Sequence, residues 1–145
     1  MDMPKWHRVV TTSSWATKLA ARTIFAAVSQ KKRPVILALS GELGAGKTTF
    51  VQGLARILGI RERVQSPTFV LMKWYRLPRK HGPFRHLVHV DAYRLDRAKD
   101  ARHLGLRHVF RDRDAIVVVE WAERIKKLIP KPVTWIRFSH GKRPS

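Results

Sequence analysis

A chain of 145 residues with 44% apolar side chains is long enough to bury a sizeable core, and a single domain over 1–145 is expected. The absence of cysteine excludes disulfides, thiolate metal sites and cysteine nucleophiles, and it suits a reducing, cytoplasmic setting. Thirty Lys and Arg against ten Asp and Glu give a net charge of +20, which must attract polyanions. Eleven of the basic residues lie in 76–113 and seven from Arg124 onward. The patterns of direct nucleic-acid readout (helix-turn-helix, RNA-binding aromatic signature, zinc spacing) are missing. Apolar runs are far too short to span a membrane.

In chain order, Trp6–Val10 reads as a short strand, and Thr and Ser residues then cap a helix over 14–29. The first 33 residues are basic with one acid, Asp2, as in an organelle transit peptide. Against that reading, Trp15, Ala16, Leu19, Ala20, Ile24, Ala27 and Val28 form a stripe at helical spacing that a core would use. A buried strand over 35–39 leads into Gly41-Glu42-Leu43-Gly44-Ala45-Gly46-Lys47-Thr48, which fits G-x-x-x-x-G-K-[ST] at every fixed position. A helix over 47–58 follows, ended by Gly59.

Each residue type in that octapeptide has a physical reason. Gly41, Gly44 and Gly46 reach backbone angles closed to other residues, so successive N–H groups converge on phosphates. The helix N-terminus adds its positive dipole end. Lys47 supplies a point charge for the β- and γ-phosphates, and the Thr48 hydroxyl is a Mg²⁺ ligand. Thr49 is an outer contact. Nucleoside triphosphate binding is the expectation.

Beyond Gly59, Phe69–Tyr75 reads as a strand, 78–83 as a basic turn, and Phe84–Asp91 as the returning antiparallel strand. A helical stretch over 97–110 is interrupted by Gly105. Ala115–Trp121 is a strand buried on both faces, followed by a short helix to Leu128, and Pro132–Phe138 is the last strand. Strand–helix alternation with an inserted hairpin indicates an α/β fold: one three-layer P-loop NTPase domain with a mixed, mostly parallel sheet.

Among the ten acids, Asp91 and Glu120 end buried strands, where a P-loop enzyme holds its metal-side carboxylate. The others read as surface acids; Glu42 lies at a variable loop position, and Glu123 faces water on the helix after Trp121. His89 shares a side of its strand with Asp91, as a buried histidine or a catalytic one. Trp121 either covers the phosphates or fills the core. Ser66 and Thr68 stand where nucleotide switches carry a γ-phosphate sensor, or in a plain turn.

The loop with Thr49, together with Ser66-Pro67-Thr68-Phe69, His89-Val90-Asp91-Ala92-Tyr93-Arg94-Leu95 and Val119-Glu120-Trp121, resembles the TsaE (YjeE) family in order and spacing, over about 6–143. The resemblance implies an ATPase needed for threonylcarbamoyladenosine at position 37 of tRNAs reading codons that begin with adenine. It implies slow hydrolysis alone and action on a TsaB–TsaD complex, with tRNA met indirectly or through the basic surface. Carried over by position, Lys47 and Thr48 match phosphate and Mg²⁺ contacts, Glu120 the metal-side carboxylate, and Asp91 the acid acting on water. Ser66, Pro67 and Thr68 match a switch-like segment, Thr17 a position near the adenine, and Arg143 a late basic residue near the nucleotide. Arg97, Lys99 and Arg102 depart from the acidic run the family carries after Tyr-Arg-Leu. Two other classes remain: a small-molecule kinase with Arg76–His81 as its lid, and a nucleotide-gated binding module with negligible turnover.

Overall fold

The structure, a computed structural model, describes residues 10–30, 34–65, 71–93, 95 and 105–140. Apart from Val10, the strand expected over Trp6–Val10 lies outside them, as does 97–104 of the expected third helix.

Helix α1 (Ser14–Val28) starts where Ser13 caps it, its side-chain oxygen accepting from the Ala16 N–H at 3.0 Å. Strand β1 (Val35–Gly41) is buried through Leu39, and helix α2 (Lys47–Ile57) follows the glycine-rich loop. Gly59 (φ +80) closes α2: its N–H bonds the Arg56 carbonyl, and the Ile60 N–H reaches back to Ala55. That reciprocal pair satisfies two carbonyls a helix end leaves orphaned, and Ile60 is buried beside them.

Strand β2 (Met72–His81) pairs antiparallel with β3 (Phe84–Asp91). The hairpin therefore differs from expectation. Residues 78–81, expected in the turn, extend the strand, and only Gly82 (φ +59) and Pro83 separate the two. A register shift between Arg76 and His81 accommodates Pro78, which a regular ladder would not. Helix α3 (Leu106–Arg111) is capped by Gly105 in the left-handed region, at the position where the sequence reading placed an interruption. Strand β4 (Ala115–Glu120), a 3-10 helix over Ala122–Leu128 and strand β5 (Thr134–Phe138) complete the domain.

The sheet order is β2-β3-β4-β1-β5, parallel except for β2. One face packs Leu37, Leu39, Leu87, Ile116 and Val118 against α1 and α2. The other packs Ile36, Val88, Val117 and Val119 against α3 and the 3-10 helix. The mixed, mostly parallel three-layer sandwich is thus as the sequence implies. The face α1 buries matches in part: Ile24 and Val28 of the expected stripe join the core, but its Trp15–Leu19 end does not. Trp15 and Leu19 are exposed, while Ala21 and Val28 are buried, with Ile24 and Phe25 packed beside them. Gly53 of α2 explains the rotation: a Cβ there would meet Lys18 Cα at 2.6 Å. The missing side chain lets the backbones touch at Lys18, which turns the Trp15–Leu19 edge outward.

Candidate functional site

The carboxyl ends of three parallel strands converge on one edge of the sheet. Leu39 lies opposite Glu120, and Asp91 lies opposite Glu120 on its other side. Strand parity puts His89, Asp91 and Glu120 on the face that carries Val118, toward α2. The loop leaving β1 at Gly41 closes over this edge before α2 begins at Lys47.

Strand β5 and His140 beyond it anchor the loop. Gly41 (φ +120) lies so close to β5 that a Cβ would fall 1.8 Å from the Phe138 carbonyl oxygen, and the Glu42 N–H donates to that same oxygen at 3.1 Å. Beyond β5, the His140 N–H donates to Glu42 Oε2 (2.7 Å) and its ring Nε2 bonds the Leu43 carbonyl (2.9 Å). Glu42 is therefore a structural clasp rather than an idle variable position. Only a partner 98 residues away reveals it. Gly46 (φ +104) caps α2, and Thr17 of α1 approaches it, its Cγ2 standing 3.6 Å from where a Cβ would lie. Ala45 and Thr49 complete the run into the helix, and Leu43 stands exposed at the tip.

Lys47 is buried, and its Nζ donates to the carbonyls of Gly41 (2.7 Å) and Glu42 (2.8 Å). The Trp121 ring lies 4.0 Å from that Nζ. Burial lowers the lysine's pKa below its ordinary 10.5, while the charges of Glu123, Glu120, Asp91 and Glu42 oppose the shift. Glu123, expected to face water, is exposed yet leads the acids in acting on Lys47. Its position three residues after Glu120, on the first helical turn beyond a strand end, was the available signal. Trp121 packs against the core, the second of its two expected roles, and also covers Lys47; its φ of +56 turns the chain sharply there. The Tyr93 ring packs tilted against it, centroids 5.1 Å apart, and Arg124 lies over Tyr93 at 4.9 Å.

The Thr48 hydroxyl donates to Glu120 Oε1 at 2.8 Å, and His89 Nε2 is 2.6 Å from Glu120 Oε2. Asp91, buried beside them, accepts from the Tyr93 N–H at 2.9 Å. Ser66 and Thr68, with Pro67 and Phe69, lie outside the described residues, as do Arg94 and Arg143. Residues 76–81, considered as a kinase lid, are strand, paired to β3 at both ends of the segment.

This donor set fits a phosphate with magnesium. The first-turn amides of α2 have no intrahelical carbonyl to bond. A buried lysine held by neutral carbonyls is free to exchange them for a phosphate. A hydroxyl bonded to a carboxylate is a hard-oxygen pair suited to Mg²⁺, which takes one or two protein ligands and draws the rest from phosphate and water. Among the described residues no group of three or more His, Asp and Glu could hold a metal by themselves.

The model of the family described as "Threonylcarbamoyl adenosine biosynthesis protein TsaE" matches residues 11–144. The chain is 40% identical over 99 residues to a tRNA threonylcarbamoyladenosine biosynthesis protein TsaE of Bacillus subtilis (strain 168), covering 66% of this chain and 56% of that one. It is 47% identical over 88 residues to the protein of that name from Streptomyces coelicolor, covering 61% and 57%. For Mycobacterium tuberculosis the figures are 42% over 115 residues, covering 73% and 66%. The chain thus spans less than two thirds of the length of these relatives. The crystal structure of YdiB from B. subtilis superposes with a TM-score of 0.63 at 33% identity, covering 88% of this chain and 72% of that one. A family match over nearly the whole length, on a fold shared with YdiB, shows that the chain belongs to the TsaE family.

Proposed function

We propose that this protein is a Mg²⁺-dependent P-loop ATPase that serves threonylcarbamoyladenosine formation at position 37 of tRNA, in concert with a TsaB–TsaD-type complex. The observation that carries the reading is the junction of Thr48 with Glu120 at 2.8 Å, one residue from a buried lysine at the mouth of the loop. Family membership supports the tRNA-modification role. The net charge of +20 supports work beside tRNA, by direct contact or through the complex.

In this mechanism the amides of 44–48 and the α2 N-terminus bind the β- and γ-phosphates. Lys47 leaves the Gly41 and Glu42 carbonyls for the phosphate oxygens, a move of one side chain over a preformed loop. Thr48 and Glu120 would hold Mg²⁺, which supplies neutralisation of charge on the phosphate oxygens when bound. Asp91 orients the attacking water and takes its proton as the water oxygen bonds to the γ-phosphorus; the bond to the bridging oxygen breaks, and ADP leaves with that electron pair. Trp121, over Lys47, keeps bulk water from the phosphates. Thr17, beside Gly46, lines the nucleoside side of the loop. Ser66, Thr68 and Arg143 enter this proposal from the family pattern alone.

The test is Lys47→Ala, assayed for ATP binding by calorimetry and for tRNA modification with the complex present. Loss of both is expected. Full modification by the variant would overturn the reading.

A further inference from the structure

His89 lies in the middle of the sheet, fully buried, one strand from the acid that faces Thr48. Its Nε2 is 2.6 Å from Glu120 Oε2, while its Nδ1 is buried with no hydrogen-bond partner. The two facts together fix the tautomer. A carboxylate only accepts, so Nε2 carries the hydrogen; a second hydrogen on Nδ1 would be a buried donor with nothing to receive it. With its hydrogen on Nε2, the ring leaves a bare Nδ1 lone pair in the core, a cost that a leucine of similar volume would avoid. Packing alone does not call for histidine here. What histidine provides is a single donor aimed at one oxygen of Glu120.

With that oxygen engaged, the carboxylate is held at both ends: Oε2 by His89 and Oε1 by Thr48. Oε1 is turned toward Thr48 and Oε2 toward the buried His89, so a cation beside the Thr48 hydroxyl meets Oε1. Calcium favours many oxygens and bidentate carboxylates in flexible geometry, whereas magnesium demands a compact octahedron with few carboxylate oxygens. A carboxylate tied to one-oxygen ligation, directly or through water, suits the smaller ion. Resting on the nucleotide-binding reading above, we propose that His89 is a positioning residue: its hydrogen bond locks Glu120 into single-oxygen ligation and sets the preference of the site for Mg²⁺ over Ca²⁺.

The experiment uses the full chain with a non-hydrolysable ATP analogue, titrated by calorimetry in Mg²⁺ and in Ca²⁺, for wild type, His89→Leu and His89→Gln. Circular dichroism checks that each variant is folded. His89→Leu should lower the ratio of Mg²⁺-supported to Ca²⁺-supported affinity about tenfold, the lower end of the effect of removing a metal ligand's hydrogen-bond partner. His89→Gln, whose amide can reach the same oxygen, should restore most of the ratio. A purely structural histidine would change stability and leave the ratio alone, and an unchanged ratio in His89→Leu overturns the proposal. Because deletion of the ring could unfold the chain, ¹⁵N-histidine spectra of the wild type give a second measure. A protonated Nε2 with a bare Nδ1 is expected, and the opposite tautomer refutes the contact. Were wild type to bind no nucleotide in either metal, the ATPase reading would fail instead, with the histidine contact still testable by its spectrum.

Discussion

Replacing Gly41 with alanine should damage the protein far more than the same change at Gly82, though both glycines have positive φ. At Gly82 a Cβ meets nothing within 4 Å, so only conformational strain is added, about 1–2 kcal/mol. At Gly41 the added methyl would stand 1.8 Å from the Phe138 carbonyl oxygen and 2.7 and 2.8 Å from the Phe138 carbonyl carbon and amide nitrogen. These are backbone atoms of a paired strand and cannot swing aside. Strain is joined by overpacking, about 1–3 kcal/mol, and by loss of the Glu42 N–H bond to Phe138, about 1 kcal/mol. A total of about 3–6 kcal/mol is a large part of an ordinary domain's stability of about 5–15 kcal/mol. Urea unfolding of the two variants beside wild type measures the difference directly. If Gly41→Ala unfolds at the same denaturant concentration as Gly82→Ala, the close packing of the loop on β5 is refuted.

Tyr75 is buried in the core with a hydroxyl that finds no partner, so Tyr75→Phe should be neutral or stabilising by up to about 1 kcal/mol in the same unfolding assay. Alkaline pH should weaken nucleotide binding early. Phosphate favours charged Lys47, and burial lowers its pKa from 10.5, so affinity is intact below the lowered pKa and lost as pH rises through it. Calorimetry in buffers of different ionisation heat should show proton uptake on binding in that range; binding that persists unchanged beyond pH 10.5 contradicts it. Chelation of Mg²⁺ should weaken ATP binding about tenfold or more, since metal-free triphosphate meets the carboxylates around Lys47 without a neutralising ion. Equal affinity with and without a chelator would exclude Thr48 and Glu120 from holding the metal.

What could be read from the sequence was what is local in the chain. The loop occupies eight consecutive residues with fixed chemical needs, and Asp91 and Glu120 announce themselves as acids ending apolar strands. Their pairing as neighbours follows from β3 and β4 being adjacent and parallel. The clasp of His140 on Glu42 and Leu43 left no local trace, because it depends on where β5 docks, and neither residue type is unusual in a loop. The Trp15–Leu19 end of the α1 stripe was misjudged for a related reason. Periodicity marks several overlapping apolar stripes on an alanine-rich helix, and the choice was made by a glycine on another helix. The β2 boundary failed because Pro78 reads as a turn, whereas an irregular edge strand tolerates it at a register shift. His89 was legible as buried but not in its aim, since the distance to Glu120 arises only from strand register.

Charge acts on two scales in this molecule, and the two have opposite signs. The chain as a whole carries +20, yet four of its ten acids (Glu42, Asp91, Glu120 and Glu123) act together on one lysine. Surface basic charge governs long-range attraction, which salt screens over about 10 Å at 0.1 M. The acids act at short range around a buried group, where screening is weak. On the proposed function, a triphosphate would be drawn in by the exterior and then discriminated at the loop mouth, where the four acids disfavour the bare anion relative to its magnesium complex. Raising salt should slow arrival without altering the preference for the metal complex. A single field spread over the surface would change both together, so comparing the ionic-strength dependence of association rate with that of metal preference separates the two designs.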